Sequence, residues 1–164
     1  MKIAVLSDTH GFFHPRLPEY LGDADLIVHA GDLGSTDVLD ELEALGPPVR
    51  AVFGNVDGQA VRGRTVEHER FEVEGLRFWM THIGGRPGKW DHRVAEPLRA
   101  DPPDVFICGH SHILRVERVD DLGGMLYLNP GAAGRHGLHQ QKTCVRLQVE
   151  NGAAREAEVV HLDE

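Results

Sequence analysis

The sequence predicts an α/β domain of the α+β type that is built on two mixed β-sheets. Short apolar runs recur along the 164 residues, and in the first half they alternate with a segment of helical spacing. In the second half such runs follow one another closely and indicate β-hairpins. No internal repeat, low-complexity tract or linker divides the chain. We therefore expect one domain over residues 1–164.

The first half of the chain has the pattern of βαβ units. Three apolar runs, Lys2–Ser7, Asp25–Ala30 and Val49–Phe53, each end in a turn that carries glycine and aspartate or asparagine. Between the second and third runs, apolar residues recur at i, i+1, i+4 and i+7 over Ser35–Leu45, and Gly46 follows. Strands that alternate with helical patterns predict a largely parallel central sheet.

The second half is predicted to be mostly β. Its predicted elements are two strands in Glu69–His82, a helix at His92–Arg99, a strand at Val105–Cys108, and hairpins over Ile113–Asn129 and Thr143–Leu162. The first and last pairs of strands meet at Glu74–Gly75 and Asn151–Gly152, where glycine supplies the positive φ that a tight hairpin turn needs.

Composition and charge exclude several classes of function. The chain carries 26 acidic and 17 basic residues, a formal net charge of −9, which argues against an extended nucleic-acid interface. No apolar run approaches the roughly 18–20 residues of a membrane span, and the N-terminal run of about six residues is short for a secretion signal. Two cysteines do not make a disulfide framework. These features predict a cytoplasmic protein that does not associate with membranes.

Polar side chains follow the apolar runs at the positions where ligands gather in α/β sheets. Seven of them are carboxylates, imidazoles or an amide: Asp8, His10, Asp32, Asn55, His82, His110 and His112. This set matches the needs of a two-metal hydrolytic site, in which one carboxylate bridges two cations. His110 and His112 stand two residues apart after a strand, so that each imidazole can serve one cation.

The order of these residues resembles the calcineurin-like metallophosphoesterases. The matching pieces are Asp8-Thr9-His10, Gly31-Asp32, Gly54-Asn55-Val56-Asp57, His82 and Gly109-His110-Ser111-His112. One such dipeptide is uninformative, but five pieces in order, each after an apolar run, are specific. The chain length and the Asn129–Ala133 stretch also resemble the small bacterial and archaeal phosphodiesterase branch. The resemblance implies a four-layer sandwich of two mixed β-sheets flanked by helices, which agrees with the strand pattern.

The resemblance also implies a role for each ligand. Asp8, His10, Asp32 and His112 would hold the first metal, and Asp32, Asn55, His82 and His110 the second, with Asp32 bridging. Asp32, Asn55, His82 and His110 are therefore the expected catalytic residues. The implied reaction is phosphodiester hydrolysis, in which hydroxide attacks in line beside two divalent cations. The mixed nitrogen and oxygen ligands predict manganese or nickel, and they also suit iron or zinc.

The chain departs from the family pattern at Val56. Many members have a histidine there, which is taken to protonate the leaving group, and valine has no proton to give. General acid help is typically worth about 10²–10⁴ in rate. We therefore expect a small phosphodiester substrate with a good leaving group, with nucleotide diesters as the preferred class.

Two alternatives stay open from the sequence. The same fold serves as a protein-binding scaffold in the retromer's metallophosphatase-like subunit, although all seven ligand positions here carry competent residues. The same site could also act as a phosphomonoesterase, a nucleotidase or a nuclease. A homodimer or a higher homo-oligomer is compatible with the predicted strand edges.

Several further residues close to the predicted ligands in the sequence have expected roles. Arg86, Lys89 and Arg93 form either a solvated face or a rim that attracts anionic substrate. His14 and His136 lie in loops that could line the site. Asp57 is expected to orient its loop.

The remaining histidines are assigned no part in the site. His29 is expected to pack within its strand, and a hydrogen bond to the Asp32 loop is the alternative; His68, His92, His139 and His161 are expected at the surface.

Overall fold

The computed structural model describes all residues, 1–164, and contains twelve strands and four helices. In chain order these are β1 (Lys2–Leu6), α1 (Leu17–Leu21), β2 (Leu26–His29), α2 (Thr36–Ala44), β3 (Val49–Ala51), α3 (Gln59–Arg62), β4 (His68–Val73), β5 (Leu76–Thr81), β6 (Gly85–Arg86), β7 (Lys89–Trp90), α4 (His92–Ala100), β8 (Val105–Ile107), β9 (Arg115–Val119), β10 (Met125–Asn129), β11 (Thr143–Glu150) and β12 (Ala153–His161).

The strands form two five-stranded mixed sheets and one small ribbon. The first sheet has the order β12-β11-β1-β2-β3, the second has the order β4-β5-β8-β10-β9, and β6 pairs only with β7. In each large sheet three strands run parallel, and the remaining strands join them as antiparallel partners. The prediction of two mixed sheets is confirmed. The parallel arrangement expected from the first half is found for β1, β2 and β3, whereas β11 and β12 join the same sheet antiparallel, so that the sheet as a whole is mixed.

The two sheets pack face to face, and alternation along β1 shows how. Ile3 and Val5 point into the core between the sheets, whereas Ala4 and Leu6 point to the opposite face, where they pack with α1, α2 and α3. All four side chains are almost fully buried, so β1 is apolar on both faces. A strand with this burial reads as a continuous apolar run, which is the pattern of a central strand.

A third core completes the layers on the outer face of the second sheet. Phe106 and Tyr127 of β8 and β10 pack there against Val94 and Leu98 of α4. The order of layers is therefore helices, first sheet, second sheet, helix. This is the predicted four-layer sandwich, and it is confirmed.

The helices begin where capping residues stand. The side chain of Ser35 accepts a hydrogen bond from the Asp37 N–H at the start of α2, and Asp91 accepts one from Arg93 at the start of α4. Both helices agree with the predicted segments. The short helices α1 and α3 were missed because five and four residues are too few to show a helical period. No helix has the length and apolarity that a membrane crossing needs.

Two of the hairpins have the predicted turn residues. Glu74 and Gly75 join β4 to β5, and Asn151 and Gly152 join β11 to β12. All four residues have φ between 50° and 83°, the left-handed conformation that two-residue hairpin turns require.

The loops that follow β2 and β3 are tied together by one buried carboxylate, that of Asp57. It accepts backbone hydrogen bonds from Gly34 and Gly54 at 2.8 Å and from Leu33 at 3.2 Å. The predicted loop-orienting role of Asp57 agrees with these contacts. Because these two loops also carry Asp32 and Asn55, Asp57 sets where those side chains stand.

His29 ends β2 and is fully buried beneath the same loops. Its Nδ1 accepts the Gly31 N–H at 3.1 Å, and its Nε2 lies 3.1 Å from the Thr9 hydroxyl, which itself donates to the Leu33 carbonyl. This arrangement uses the neutral imidazole with its proton on Nε2. Burial lowers the pKa of His29 to about 4.

We expect Asp57→Ala to lower the free energy of unfolding by about 2–4 kcal/mol, because three buried N–H groups lose their acceptor. Urea unfolding of the metal-free protein measures this loss. Asp121→Ala, which removes an exposed carboxylate, is the control and should stay within about 0.5 kcal/mol of wild type. Equal losses in the two variants would show that Asp57 does not hold the loops.

We expect acid to destabilise the protein partly through His29. Its pKa is lower in the folded chain than in the unfolded chain, so the unfolded state takes up the proton first as the pH falls. Between pH 6.5 and 4.5 the wild type should lose about 2–3 kcal/mol more stability than His29→Gln, which keeps a donor and an acceptor without titrating. Urea unfolding of both proteins at the two pH values tests this, and parallel losses would contradict it.

Candidate metal centre

The seven predicted ligand side chains lie together beyond the carboxyl ends of five strands. Asp8 and His10 follow β1, Asp32 follows β2, Asn55 follows β3, His82 follows β5, and His110 and His112 follow β8. Three of these strands belong to the first sheet and two to the second. The site therefore lies where the ends of both sheets meet.

The backbone at the site is held in an unusual conformation. Seven residues other than glycine have positive φ, and two of these, Glu74 and Asn151, are the hairpin turns described above. The other five are all predicted ligands: Asp8, His10, Asp32, His110 and His112. A residue held there costs about 1–3 kcal/mol and persists only where its surroundings impose it. Such strain concentrated on one set of side chains indicates a functional site.

Glycines beside the ligands allow the loops to approach one another closely. Gly31 has a φ of +103°, and a Cβ atom there would lie 2.5 Å from Nδ1 of His82. A Cβ atom on Gly109 would overlap the Ser7 hydroxyl and lie 2.7 Å from Oδ2 of Asp8. The glycines that precede Asp32 and His110 in the sequence are therefore required by packing at the site.

The first group of donors is Asp8, His10 and His112, whose donor atoms all lie within 4.8 Å of one another. Oδ2 of Asp8 accepts hydrogen bonds from the Ser7 hydroxyl at 2.6 Å and the His110 N–H at 3.1 Å. Its Oδ1 instead faces Nε2 of His112 at 3.2 Å and Nε2 of His10 at 3.7 Å. One carboxylate oxygen is thus fixed to the protein and the other is turned towards the imidazoles.

The second group is Asp32, His82 and His110, with the same mutual spacing of donor atoms. Oδ1 of Asp32 accepts the Val56 N–H at 3.0 Å, and Oδ2 lies 3.1 Å from Nε2 of His82. The Nδ1 of His82 is 2.7 Å from the Ala30 carbonyl, which orients the ring and leaves Nε2 facing the site. Oδ1 of Asn55 lies 3.0 Å from Nδ1 of His110, so the amide borders this group.

The two groups are contiguous. Oδ2 of Asp32 is 3.6 Å from Nε2 of His10, which belongs to the first group. Oδ1 of Asp8 is 3.8 Å from Nε2 of His82, which belongs to the second. Each carboxylate therefore faces imidazoles of both groups.

The carboxylates and imidazoles shift one another's pKa. Burial would raise the pKa of Asp8, but His10, His112 and His82 outweigh it and hold this pKa far below its usual range. Asp32 behaves in the same way, and its pKa is lowered chiefly by His82. The nearby carboxylate of Asp8 raises the pKa of His10, and the two carboxylates raise that of His82 against the effect of burial. The site thus keeps two buried negative charges.

Three buried atoms of the predicted ligands have no hydrogen-bond partner: Oδ1 of Asp8, Nε2 of His10 and Nε2 of His82. A buried polar atom without a partner costs about 1–3 kcal/mol, so three together require an explanation. A divalent cation would accept a lone pair from each atom and remove that cost. The mixed nitrogen and oxygen donors fit manganese, nickel, iron or zinc. The residues present therefore fit a metal site.

Two of the loop histidines lie beside the first group, and one of them was missed. His136, a predicted site-lining residue, has its ring centroid 4.9 Å from that of His10. His139, expected at the surface, is half-buried, and its ring centroid is 5.1 Å from that of His112. Its loop folds back over the site, with Nε2 2.7 Å from the Gly134 carbonyl. No pattern in the sequence indicates this contact, because the loop has no regular period.

The structure does not bring His14 to the site. Its Nε2 lies 2.8 Å from Oδ1 of Asp163, and its Nδ1 accepts the Arg16 N–H at 3.0 Å. Both ring nitrogens therefore have hydrogen-bond partners away from the site, and one of these partners is near the C-terminus. The expectation that His14 lines the site is therefore wrong. Its partner Asp163 is far away in the sequence, and no local pattern predicts that contact.

Arg86 and Lys89 lie in a cleft of about 470 Å³ that opens beside His110. We call it the Trp90 cleft; its other lining side chains include Ile83, Trp90, Ile113 and Arg115. A smaller cleft of about 250 Å³, which we call the Asn55 cleft, is lined by Asn55, His82, Arg62 and Ile83. Ile83 borders both clefts, so they flank the second group of donors.

Comparison with known proteins agrees with this geometry. Residues 1–152 match the calcineurin-like phosphoesterase superfamily domain. A probable metallophosphoesterase of Methanothermobacter thermautotrophicus is 38% identical over 141 residues, which cover 80% of this chain and 77% of that protein. A phosphodiesterase of Methanocaldococcus jannaschii is 29% identical over 147 residues, which cover 80% of this chain and 83% of that protein.

Solved structures share the fold over almost the whole chain. An archaeal phosphodiesterase superposes with a TM-score of 0.76 at 27% identity, covering 98% of this chain and 99% of that one. The zinc complex of Vps29 from Entamoeba histolytica superposes with a TM-score of 0.72 at 22% identity, covering 99% of each chain. Sequence, fold and the grouping of donor atoms thus agree: the chain belongs to the calcineurin-like phosphoesterase superfamily and is a metal-dependent phosphoesterase.

Proposed function

We propose that this phosphoesterase is a phosphodiesterase that hydrolyses small phosphodiesters at a centre of two divalent cations. The observation that carries the proposal is the pair of contiguous donor groups with three buried, unpartnered ligand atoms. One group would suffice for a single cation. Two groups that share a boundary at the carboxylates match the requirement of a two-cation site.

In this proposal the first cation is held by Asp8, His10, Asp32 and His112, and the second by Asp32, Asn55, His82 and His110. The bridging role of Asp32 is supported by the position of its Oδ2, which faces Nε2 of both His10 and His82. Its Oδ1 is occupied by the Val56 N–H, which holds the carboxylate in place. The amide of Asn55 would complete the second set, because its Oδ1 lies beside His110, 3.0 Å from Nδ1 of that ring.

When bound, the cations would supply positive charge for the phosphoryl oxygens and lower the pKa of water. The chain's own residues keep the site ready for this chemistry. Ser7 and the His110 N–H hold Asp8, the Ala30 carbonyl holds His82, and the backbone of Val56 holds Asp32. These contacts fix the ligands before substrate arrives, which avoids a reorganisation cost.

The preference for diesters with good leaving groups rests on the residue at position 56. The side chain of Val56 is 52% exposed and carries no proton, so it cannot protonate a departing oxygen. A leaving group that is stable as an anion needs no such help. The relatives described as phosphodiesterases support the diester class.

The first test is hydrolysis of bis-p-nitrophenyl phosphate by chelator-treated protein with manganese added back. We expect manganese-dependent release of p-nitrophenol, at a rate at least about tenfold above that for p-nitrophenyl phosphate, because both esters release the same leaving group but the diester carries less negative charge to repel an attacking hydroxide. Release is measured by absorbance. No cleavage by folded protein with manganese, nickel, iron or zinc would contradict the proposal and favour the protein-binding scaffold.

The ligand assignment is tested by two substitutions. Asp32→Asn should lower turnover by about 10³-fold or more, because an amide cannot supply the charge that the bridging position needs. His110→Ala should reduce the metal content from about two equivalents to about one, measured by elemental analysis after dialysis. Asp37→Asn, an exposed change on α2, is the control and should match wild type in both assays. Unchanged metal content in His110→Ala would overturn its assignment.

A further inference from the structure

We infer that the Trp90 cleft binds the arm of the diester that stays on the phosphate, and that this arm is a nucleoside carrying a second phosphate. This inference rests on the proposed function, since it names the substrate class of the same site. Three features of the cleft support it: the hairpin that forms it is anchored to the site, its free charges are positive, and its other walls are apolar.

The cleft is built on a hairpin that is fixed to the site. β6 and β7 form this hairpin, which begins three residues after His82 and presents Arg86 and Lys89 at its tip. At its base the Asp91 N–H donates to the Gly84 carbonyl at 3.1 Å, and the Tyr127 hydroxyl donates to the Gly85 carbonyl at 2.6 Å. The hairpin is therefore held at a set position relative to a metal-ligating side chain.

The charge of the cleft is opposite to that of the protein. The chain as a whole has a formal net charge of −9, yet Arg86 and Lys89 are exposed and make no ion pair. The other charged groups of the cleft are neutralised by ion pairs: the carboxylate of Asp91 pairs with Arg93 at 2.9 Å, and Arg115 pairs with Glu117 at 2.9 Å. Two positive charges thus remain uncompensated, and they favour an anionic group.

The remaining walls favour a planar apolar group. Trp90 is half-buried, with its ring 5.7 Å from Tyr127 and 6.0 Å from Phe106, so it is held in place while part of it lines the cleft. Ile83 and Ile113 line the cleft as well, and Ile113 is 63% exposed. A fixed aromatic ring beside aliphatic side chains is a stacking surface for a base.

The size and position of the cleft suit the retained arm. Its volume of about 470 Å³ lies within the roughly 300–1,000 Å³ of pockets that enclose small ligands. His110 lines it, so a group bound there is next to the reacting phosphate, and the smaller Asn55 cleft lies on the other side of Ile83. The larger cleft has room for a nucleoside, and the smaller one is left for the leaving group.

The test uses three esters with the same p-nitrophenol leaving group. These are methyl p-nitrophenyl phosphate, thymidine 5′-(p-nitrophenyl phosphate), and the latter compound with a 3′-phosphate. With manganese, we expect kcat/KM to rise at each step, by about tenfold or more for the 3′-phosphate, because it forms charge-assisted contacts with Arg86 and Lys89.

Two sets of variants assign the effects. The double variant Arg86→Ala/Lys89→Ala should reduce the preference for the 3′-phosphate to about twofold or less, whereas Arg99→Ala/Arg155→Ala, which removes the same charge from exposed positions outside the cleft, should keep it. Trp90→Ala should reduce the preference for thymidine over methyl, and Trp90→Phe should restore part of it.

A binding experiment supplies a readout that does not depend on turnover. Thymidine 3′,5′-bisphosphate should bind the chelator-treated wild-type protein more tightly than thymidine 5′-monophosphate, measured by calorimetry. In Arg86→Ala/Lys89→Ala the difference between the two nucleotides should disappear. These two nucleotides differ only in the second phosphate, so the comparison isolates the contribution of the Arg86 and Lys89 side chains to its binding.

The outcomes separate this inference from the proposed function. If no diester is cleaved with any metal, including bis-p-nitrophenyl phosphate, the proposed function fails and the inference fails with it. If bis-p-nitrophenyl phosphate is cleaved but the 3′-phosphate brings no preference, or the preference survives in Arg86→Ala/Lys89→Ala, only the inference is overturned. A preference that is lost in that variant and kept in the Arg99 and Arg155 control supports it.

Discussion

The buried negative charge of Asp8 is the constraint on which the rest of the site depends. The side chain is fully inaccessible, and a carboxylate in such a place is stable only when it is surrounded by donors or cations. One of its oxygens is satisfied by Ser7 and by the His110 backbone, while the other meets only imidazoles. The loops after β1 and β8 must therefore meet at this carboxylate, and the two sheets are joined there by charge as well as by apolar packing.

This constraint explains why the predicted ligands come from both sheets. The central parallel strands of each sheet end on the same side of the sandwich, and the apolar core between the sheets brings those ends together. The loops are then fixed by polar contacts: Asp57 ties the second and third loops, and His29 lies beneath the first and second. None of these supporting groups belongs to the predicted ligand set, yet each determines where a ligand side chain points.

Much of the architecture was predictable because it follows from local chemistry. Strands, the two long helices and the hairpins at Glu74–Gly75 and Asn151–Gly152 each carry a periodic or turn signal of their own. The grouping of the ligands was predictable because carboxyl ends of strands share one edge. The sequence predicted two mixed sheets without giving their strand order, since that order depends on contacts between residues far apart in the chain.

The features that sequence did not predict have a common cause. His139 approaches His112, and His14 turns to Asp163, through loops that have no period. The Trp90 cleft depends on a hairpin of two-residue strands, which is too short to be recognised from alternation. Its basic residues were noticed in the sequence, but Trp90 could be placed beside them only once the fold had brought β8 and β10 underneath.

The left-handed backbone at five of the predicted ligands has an evolutionary consequence. Glycine adopts this conformation without strain, whereas aspartate and histidine pay a cost for it, so each of these predicted ligands lowers the stability of the fold relative to glycine. Drift away from metal binding would therefore relax the fold, and only selection for the chemistry can oppose it. A lineage released from that selection could lose its ligands and keep a more stable sandwich. The fold is therefore well suited to evolve from an enzyme into a protein-binding scaffold.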